Sequence, residues 1–173
     1  MPADPVVPNQ REAIAALERG DRALTRSLDR LTTRDLERPG IGNGDWTPLD
    51  LVAHVESWER HTLDALDAWA QRRRAPIDVA LETRGLDAVN ALAVAAAVGR
   101  PPATVLRRAR RTHADLVAAI GGIPDEAWGS PPLTRGRSLG RRLGGILGGP
   151  AGPFRHADAH VPELRAFVAA SGR

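Results

Sequence analysis

Cysteine, lysine and tyrosine are missing from the chain. Without cysteine there is no disulfide, no thiolate metal site and no cysteine nucleophile, so thiol chemistry here requires a thiol supplied from outside. Every one of the 24 basic residues is arginine, set against 21 Asp and Glu and a formal net charge of +3. A surface selected to hold phosphates normally mixes both cations, so the arginine excess reads as compositional bias, and the near balance of charge points away from nucleic acid. Aromatic residues are few: Trp46, Trp58, Trp69, Trp128, Phe154 and Phe167. No window approaches about 18 uncharged apolar residues, and the opening MPADPVVPNQREAIAAL has no basic stretch leading into an apolar one. The expectation is a cytoplasmic protein, monomer or homodimer, without a membrane partner.

Alanine, leucine and arginine dominate instead, which favours helix over sheet. The length suits one domain, residues 9–173, after a proline-rich lead-in over residues 1–8 that is expected to be flexible. Apolar residues on a helical period predict a first helix from Asn9 to just before Pro39. Trp46-Thr47-Pro48-Leu49-Asp50 is the clearest helix start: Thr47 caps, Pro48 occupies the first helical position and Asp50 completes a capping box. That second helix is predicted to reach about Arg72. A shorter helix is predicted between Leu86 and Val98, a third long one over Ala103–Ile120, and a single turn at Pro124–Trp128. Seven glycines between Gly136 and Gly152, with four arginines between Arg135 and Arg142, predict a mobile loop over residues 129–152 with a turn of helix around Leu139–Leu147. A last helix follows over Pro153–Ala170, with Pro162 inside it expected to kink it or move its start. Four principal helices form an all-α bundle, an architecture that builds sites from side chains on facing helices.

His156 and His160 stand one helical turn apart on one face. His54 lies on an edge of the apolar stripe of the best-capped helix. Three imidazoles with no thiolate suit zinc, nickel or a similar divalent ion, and three ligands with one open position are the pattern of a catalytic site. A histidine pair at this spacing also arises by chance, so composition and spacing leave metal and no metal both standing. Trp58, one turn after His54, is a candidate pocket wall or plain core. His61 is a candidate proton carrier or a solvated residue. Arg165 is a candidate partner for a substrate carboxylate or part of a solvated face. His113, on an apolar face, reads as a satisfied core residue outside the site.

The segment from Asp45 to Glu59 resembles the Trp-Thr-x-x-Asp-Leu-x-x-His-x-x-x-Trp signature of the DinB/YfiT-like superfamily, which includes mycothiol-dependent maleylpyruvate isomerase and mycothiol or bacillithiol transferases. His156-x-x-x-His160 followed by Glu163-Leu164-Arg165 is similar to that family's fourth-helix motif, and Ala114–Trp128 resembles its third helix and following turn. The resemblance covers the chain from Ala13 onward. It implies a DinB/YfiT-like four-helix bundle, here with an extra short helix and the long Gly/Arg-rich loop before the last helix. It also implies that His54, His156 and His160 bind one divalent metal; some members carry Glu at the position of His156. The activity it implies is metal-dependent S-transfer or isomerisation of a small electrophile with a low-molecular-weight thiol such as mycothiol, with hydrolysis by metal-bound water as a variant. Metal-independent self-protection against a reactive small molecule, known among relatives in the superfamily, is the alternative it leaves open. A nucleic-acid role for Arg135, Arg137, Arg141 and Arg142 rests on charge alone and is not expected.

Overall fold

The computed structural model describes residues 7–42 and 45–172. Among these the chain forms nine helices: α1 Gln10–Leu28, α2 Thr33–Leu36, α3 Pro48–Ala70, α4 Pro76–Arg84, α5 Leu86–Ala95, α6 Pro102–Gly121, α7 Asp125–Trp128, α8 Leu139–Ile146 and α9 His156–Ala170. No strand occurs among the described residues, and Ile41 and Trp46 make an isolated antiparallel bridge. Local sequence explains the starts. Asn9 and Glu12 close a capping box on α1. At α3 the Asp50 backbone N–H donates to Thr47 Oγ1 at 3.1 Å while the Thr47 N–H donates to Asp50 Oδ2 at 2.9 Å, with Pro48 in the first turn where no N–H is needed.

The four long helices close a ring in which α1 packs on α6 and α9, and α3 packs on the same two. Helix α3 also carries α4, α5 and α8 against its remaining side, so it is buried on more than one face. Its His54 looks toward α9, and its Glu56 and Glu59 look toward α6. Helices α1 and α9 approach closely at Gly20, where an added Cβ would stand 3.0 Å from the Ala157 Cβ. That contact presses the first turn of α9 into the bundle.

Three expectations are corrected. The first helix does not run to Pro39: α1 ends at Leu28, and Thr32 with Asp35 caps a separate turn, α2. Pro76 opens an additional helix, α4, whose Ile77 is buried in the core. The third concerns residues 129–152, where glycine and arginine content predicts a loop. Leu139, Leu143 and Leu147 repeat every fourth residue on α8 and its C-cap, and all three are buried in the main core. The glycines there are packing residues: a Cβ at Gly140 would stand 2.5 Å from the Trp128 indole, and one at Gly144 would stand 2.9 Å from the Phe154 ring. Small residues bring α8 close enough for its leucines to reach the core, which overrides the entropy cost that composition suggests.

Trp128 and Phe154 stack with centroids 5.8 Å apart, and Trp128 Nε1 donates to the Pro8 carbonyl at 3.1 Å. Pro8 is thus held, and residues 1–6 of the predicted lead-in lie outside the described residues. Phe154 itself is buried and has φ +59°, a left-handed conformation that turns the chain immediately before α9. The last helix therefore begins at His156, not Pro153. The His156 N–H donates to the Leu147 carbonyl at 3.0 Å, which ties the first turn of α9 to the end of α8. Pro162 sits on the exposed side of α9 and the helix continues through it.

Candidate metal centre

Three imidazoles meet between α3 and α9. His54 Nε2 lies 3.1 Å from His156 Nε2, which lies 3.3 Å from His160 Nε2. One ligand-type nitrogen from each ring falls within 4.8 Å of the others, and these are the residues singled out by spacing in the sequence. Nitrogens bound tetrahedrally at about 2.0–2.1 Å from zinc stand roughly 3.3–3.4 Å apart, so the observed separations are close to those of a ligand set. The donor chemistry agrees. His156 Nε2 faces two other Nε2 atoms and has one lone pair or one proton to offer, so hydrogen bonding among the three rings cannot satisfy all of them. A shared cation accepts all three lone pairs and leaves each proton on Nδ1. The three Nδ1 atoms are buried without a hydrogen-bond partner, and only His160 has an acceptor nearby, Glu163 Oε1 at 3.5 Å. Orphaned N–H groups cost about 1–3 kcal/mol each, which the ligand bonds would have to offset.

Burial pushes His54 down to about 4, and nearby His160 adds to the effect. Burial, with His54 and His160 alongside, pushes His156 down to about 3. His160 is also lowered by burial, against an opposing pull from Glu163. All three are neutral near pH 7, the form in which imidazole binds metal. The unfolded chain takes up protons at these positions near pH 6.5, whereas folded His54 and His156 resist until about 4 and about 3. Chelator-stripped protein is therefore expected to lose stability as pH falls from about 6.5 toward 4, each such histidine costing about 1.4 kcal/mol per pH unit across that window. Above pH 6.5 this contribution is level. Glu59 and His113, both raised, work in the opposite sense: their contribution is present at low pH and is lost as pH rises through their folded values. Urea unfolding of stripped wild type and of His54→Ala, at about pH 7 and about pH 4.5, cancels that second pair. The variant should show the smaller loss of stability, and equal losses would refute the assignment.

The histidines line a cleft of about 400 Å³. Trp58 forms its wall, as its spacing suggested, with the indole N–H donating to Asn90 Oδ1 at 3.2 Å. His61 is half-buried against Trp58, ring centroids 5.7 Å apart, and burial lowers its pKa, but it does not line the cleft. Arg165 stands exposed on α9, away from the cleft wall. His113 is where sequence reasoning put it, outside the site: its Nδ1 lies 2.7 Å from the buried Glu59 carboxylate. The neighbouring Glu56 carboxylate accepts from Arg108 at 2.6 Å and Thr112 at 2.8 Å, so this second polar cluster on α3 is satisfied by α6. Sequence reasoning gave no site role to two residues at the triad. Trp46, whose ring centroid is 5.0 Å from that of His54, is brought there by the Ile41–Trp46 bridge. Glu163 stands three residues after His160, a spacing that signals a side-chain pair on a helix.

The fold and the site define a helical bundle with a three-histidine cluster at the base of an open cleft. Residues 17–144 match the mycothiol maleylpyruvate isomerase N-terminal domain, and the chain belongs to that family. The match includes His54 and ends before His156 and His160. No curated protein matches the chain in sequence. Among solved structures, an uncharacterised protein from Escherichia coli UTI89 is similar over 96% of this chain and 96% of its own, with a TM-score of 0.81 at 12% identity. The colibactin self-resistance protein ClbS, solved in complex with a dsDNA, is similar over 92% of this chain and 98% of its own, with a TM-score of 0.72 at 17% identity. At such identities these likenesses speak for the fold. No helix among the described residues is long and apolar enough to cross a membrane.

Proposed function

We propose that His54, His156 and His160 hold one divalent ion, zinc or nickel, and that the protein is a metal-dependent enzyme. In this reading it uses a low-molecular-weight thiol of the mycothiol type for S-transfer to, or isomerisation of, a small electrophile. The observation that carries the reading is the convergence of three neutral Nε2 atoms at ligand spacing on an open cleft. Membership of a mycothiol-related family supports the choice of thiol, and the absence of cysteine requires that the thiol come from outside. An ion bound there would supply Lewis acidity, lowering the pKa of a thiol or water. The protein's own groups have distinct tasks. Buried, uncharged imidazoles keep their lone pairs available at neutral pH. Trp58 and Trp46 shield the rings from water, and Asn90 fixes the Trp58 indole as a rigid wall. Glu163, at the cleft lining, stands where it can accept the His160 Nδ1 proton and hold that ring's tautomer.

Elemental analysis of protein purified without a histidine tag tests this directly. About one divalent ion per chain is expected, together with a lower melting temperature after EDTA treatment. Protein that holds no stoichiometric ion, melts identically with EDTA and is stabilised by an apolar electrophile would instead support metal-independent self-protection. Cytoplasmic location and a small-molecule rather than nucleic-acid partner belong to the same proposal.

A further inference from the structure

The glycine- and arginine-rich α8 also walls a second cleft, of about 480 Å³. It adjoins the histidine cleft along Trp58, Gly145 and Ile146, which line both. The two differ in charge. Apart from the imidazoles, the histidine cleft has Glu163 as its ionisable lining residue, whereas the second carries Arg137, Arg141 and Arg142 against one carboxylate, Asp78. Arg142 is engaged with Asp78 at 2.5 Å and lies over the Trp69 ring, so it braces α8 against the core. Arg137 is exposed at the rim. Between the two ends stands Gly145, exposed on α8, where an added Cβ would meet nothing within 4 Å. The saddle is therefore open, and it joins a metal-type site to a cationic one.

We propose that the joined clefts form one extended site whose ligand places its reacting end at the histidine triad and an oxyanion group, carboxylate or phosphate, at Arg137 and Arg141 on α8. The inference rests on the metal reading above and adds a class of substrate to it: an elongated acid. Guanidinium groups suit such an end, because they stay charged at all relevant pH and present paired N–H donors to planar or tetrahedral oxyanions. The apolar Leu81 and the Trp58 indole line the path for an uncharged middle section.

Cobalt-loaded protein provides the test, with thiolate-to-cobalt absorption reporting binding. The probes are a homologous series of ω-mercapto carboxylic and phosphonic acids, paired with ω-mercapto alcohols of equal length. Long acids are expected to bind about tenfold tighter than the matching alcohols, and short acids are not, since only a long chain crosses the saddle. In Arg137→Glu/Arg141→Glu the long-acid preference should fall to one or invert. In Gly145→Phe, which has room for its side chain, the advantage of length should disappear while the fold is retained by circular dichroism. An acid preference that is independent of length, or that survives in the double variant, overturns the inference while leaving the metal reading intact. Failure to take up cobalt overturns both, and is read separately from thiol binding. If duplex DNA displaces the long acids with a steep salt dependence, the arginines belong to a phosphate backbone, and the small-acid inference is wrong.

Discussion

Replacing His160 with alanine is expected to abolish stoichiometric metal binding without unfolding the protein. The ring contributes one of three converging Nε2 atoms, and two nitrogens cannot hold a divalent ion as three do. Loss of an outer partner of a metal ligand typically costs 10–100-fold in affinity, and loss of a ligand itself is expected to exceed about 100-fold. The cost to the metal-free fold is small by comparison. His160 Nδ1 is buried without a hydrogen-bond partner, so deleting the ring also removes an unsatisfied polar atom. The two effects separate in one experiment. Wild type saturated to about 100 times its dissociation constant gains about 2.7 kcal/mol over its stripped form, so EDTA should lower its melting temperature. His160→Ala should melt at one temperature with and without EDTA, near that of stripped wild type. A variant that keeps a full complement of metal would show that the triad is not the site.

Leu143→Ala is expected to be among the most damaging single substitutions in the chain, although it falls in a segment of loop-like composition. Leu143 is fully buried on α8, in one core cluster with Trp128, Leu139 and Phe154. Truncating such a residue leaves a cavity and costs about 2–5 kcal/mol. At roughly 2–4 °C per kcal/mol for a domain of this size, the melting temperature should drop by roughly 5–15 °C. A leucine on a mobile loop would cost within about 0.5 kcal/mol, so thermal or urea melts distinguish the two descriptions of residues 129–152. The damage should extend to the site. His156 opens α9 with its N–H on the Leu147 carbonyl, and a loosened α8 releases that anchor. Metal affinity should therefore weaken in Leu143→Ala, where His160→Ala loses metal with its fold intact.

These two residues also mark what was legible in the sequence. The start of α3 could be read because a capping box and a first-turn proline are local chemistry, and the structure has both. The meeting of His54 with His156 and His160 could be proposed because helical spacing fixes which residues share a face, and because the surrounding motif resembled a known one. Helix α8 was obscured for a physical reason. Glycine content measures the entropy of the unfolded segment, but it does not reveal that Gly140 and Gly144 are small because Trp128 and Phe154 occupy the space where their Cβ atoms would be. The leucines at 139, 143 and 147 carried the helical signal, and only the core they enter gives it weight. The start of α9 was misplaced because a left-handed Phe154 is held by burial against Trp128, which no local rule foresees. Trp46 was missed as a neighbour of His54 because the Ile41 bridge that folds it back is a tertiary event.

His156 and His160 occupy the first turns of α9, where the peptide dipoles present their positive end. Three uncharged imidazoles do nothing to neutralise a dication, and the helix terminus adds about half an elementary charge of the same sign. Any divalent ion held there is thus left strongly electropositive toward the cleft. Its exchangeable position should discriminate by charge, taking thiolate, hydroxide, azide or halide in preference to neutral donors of equal size.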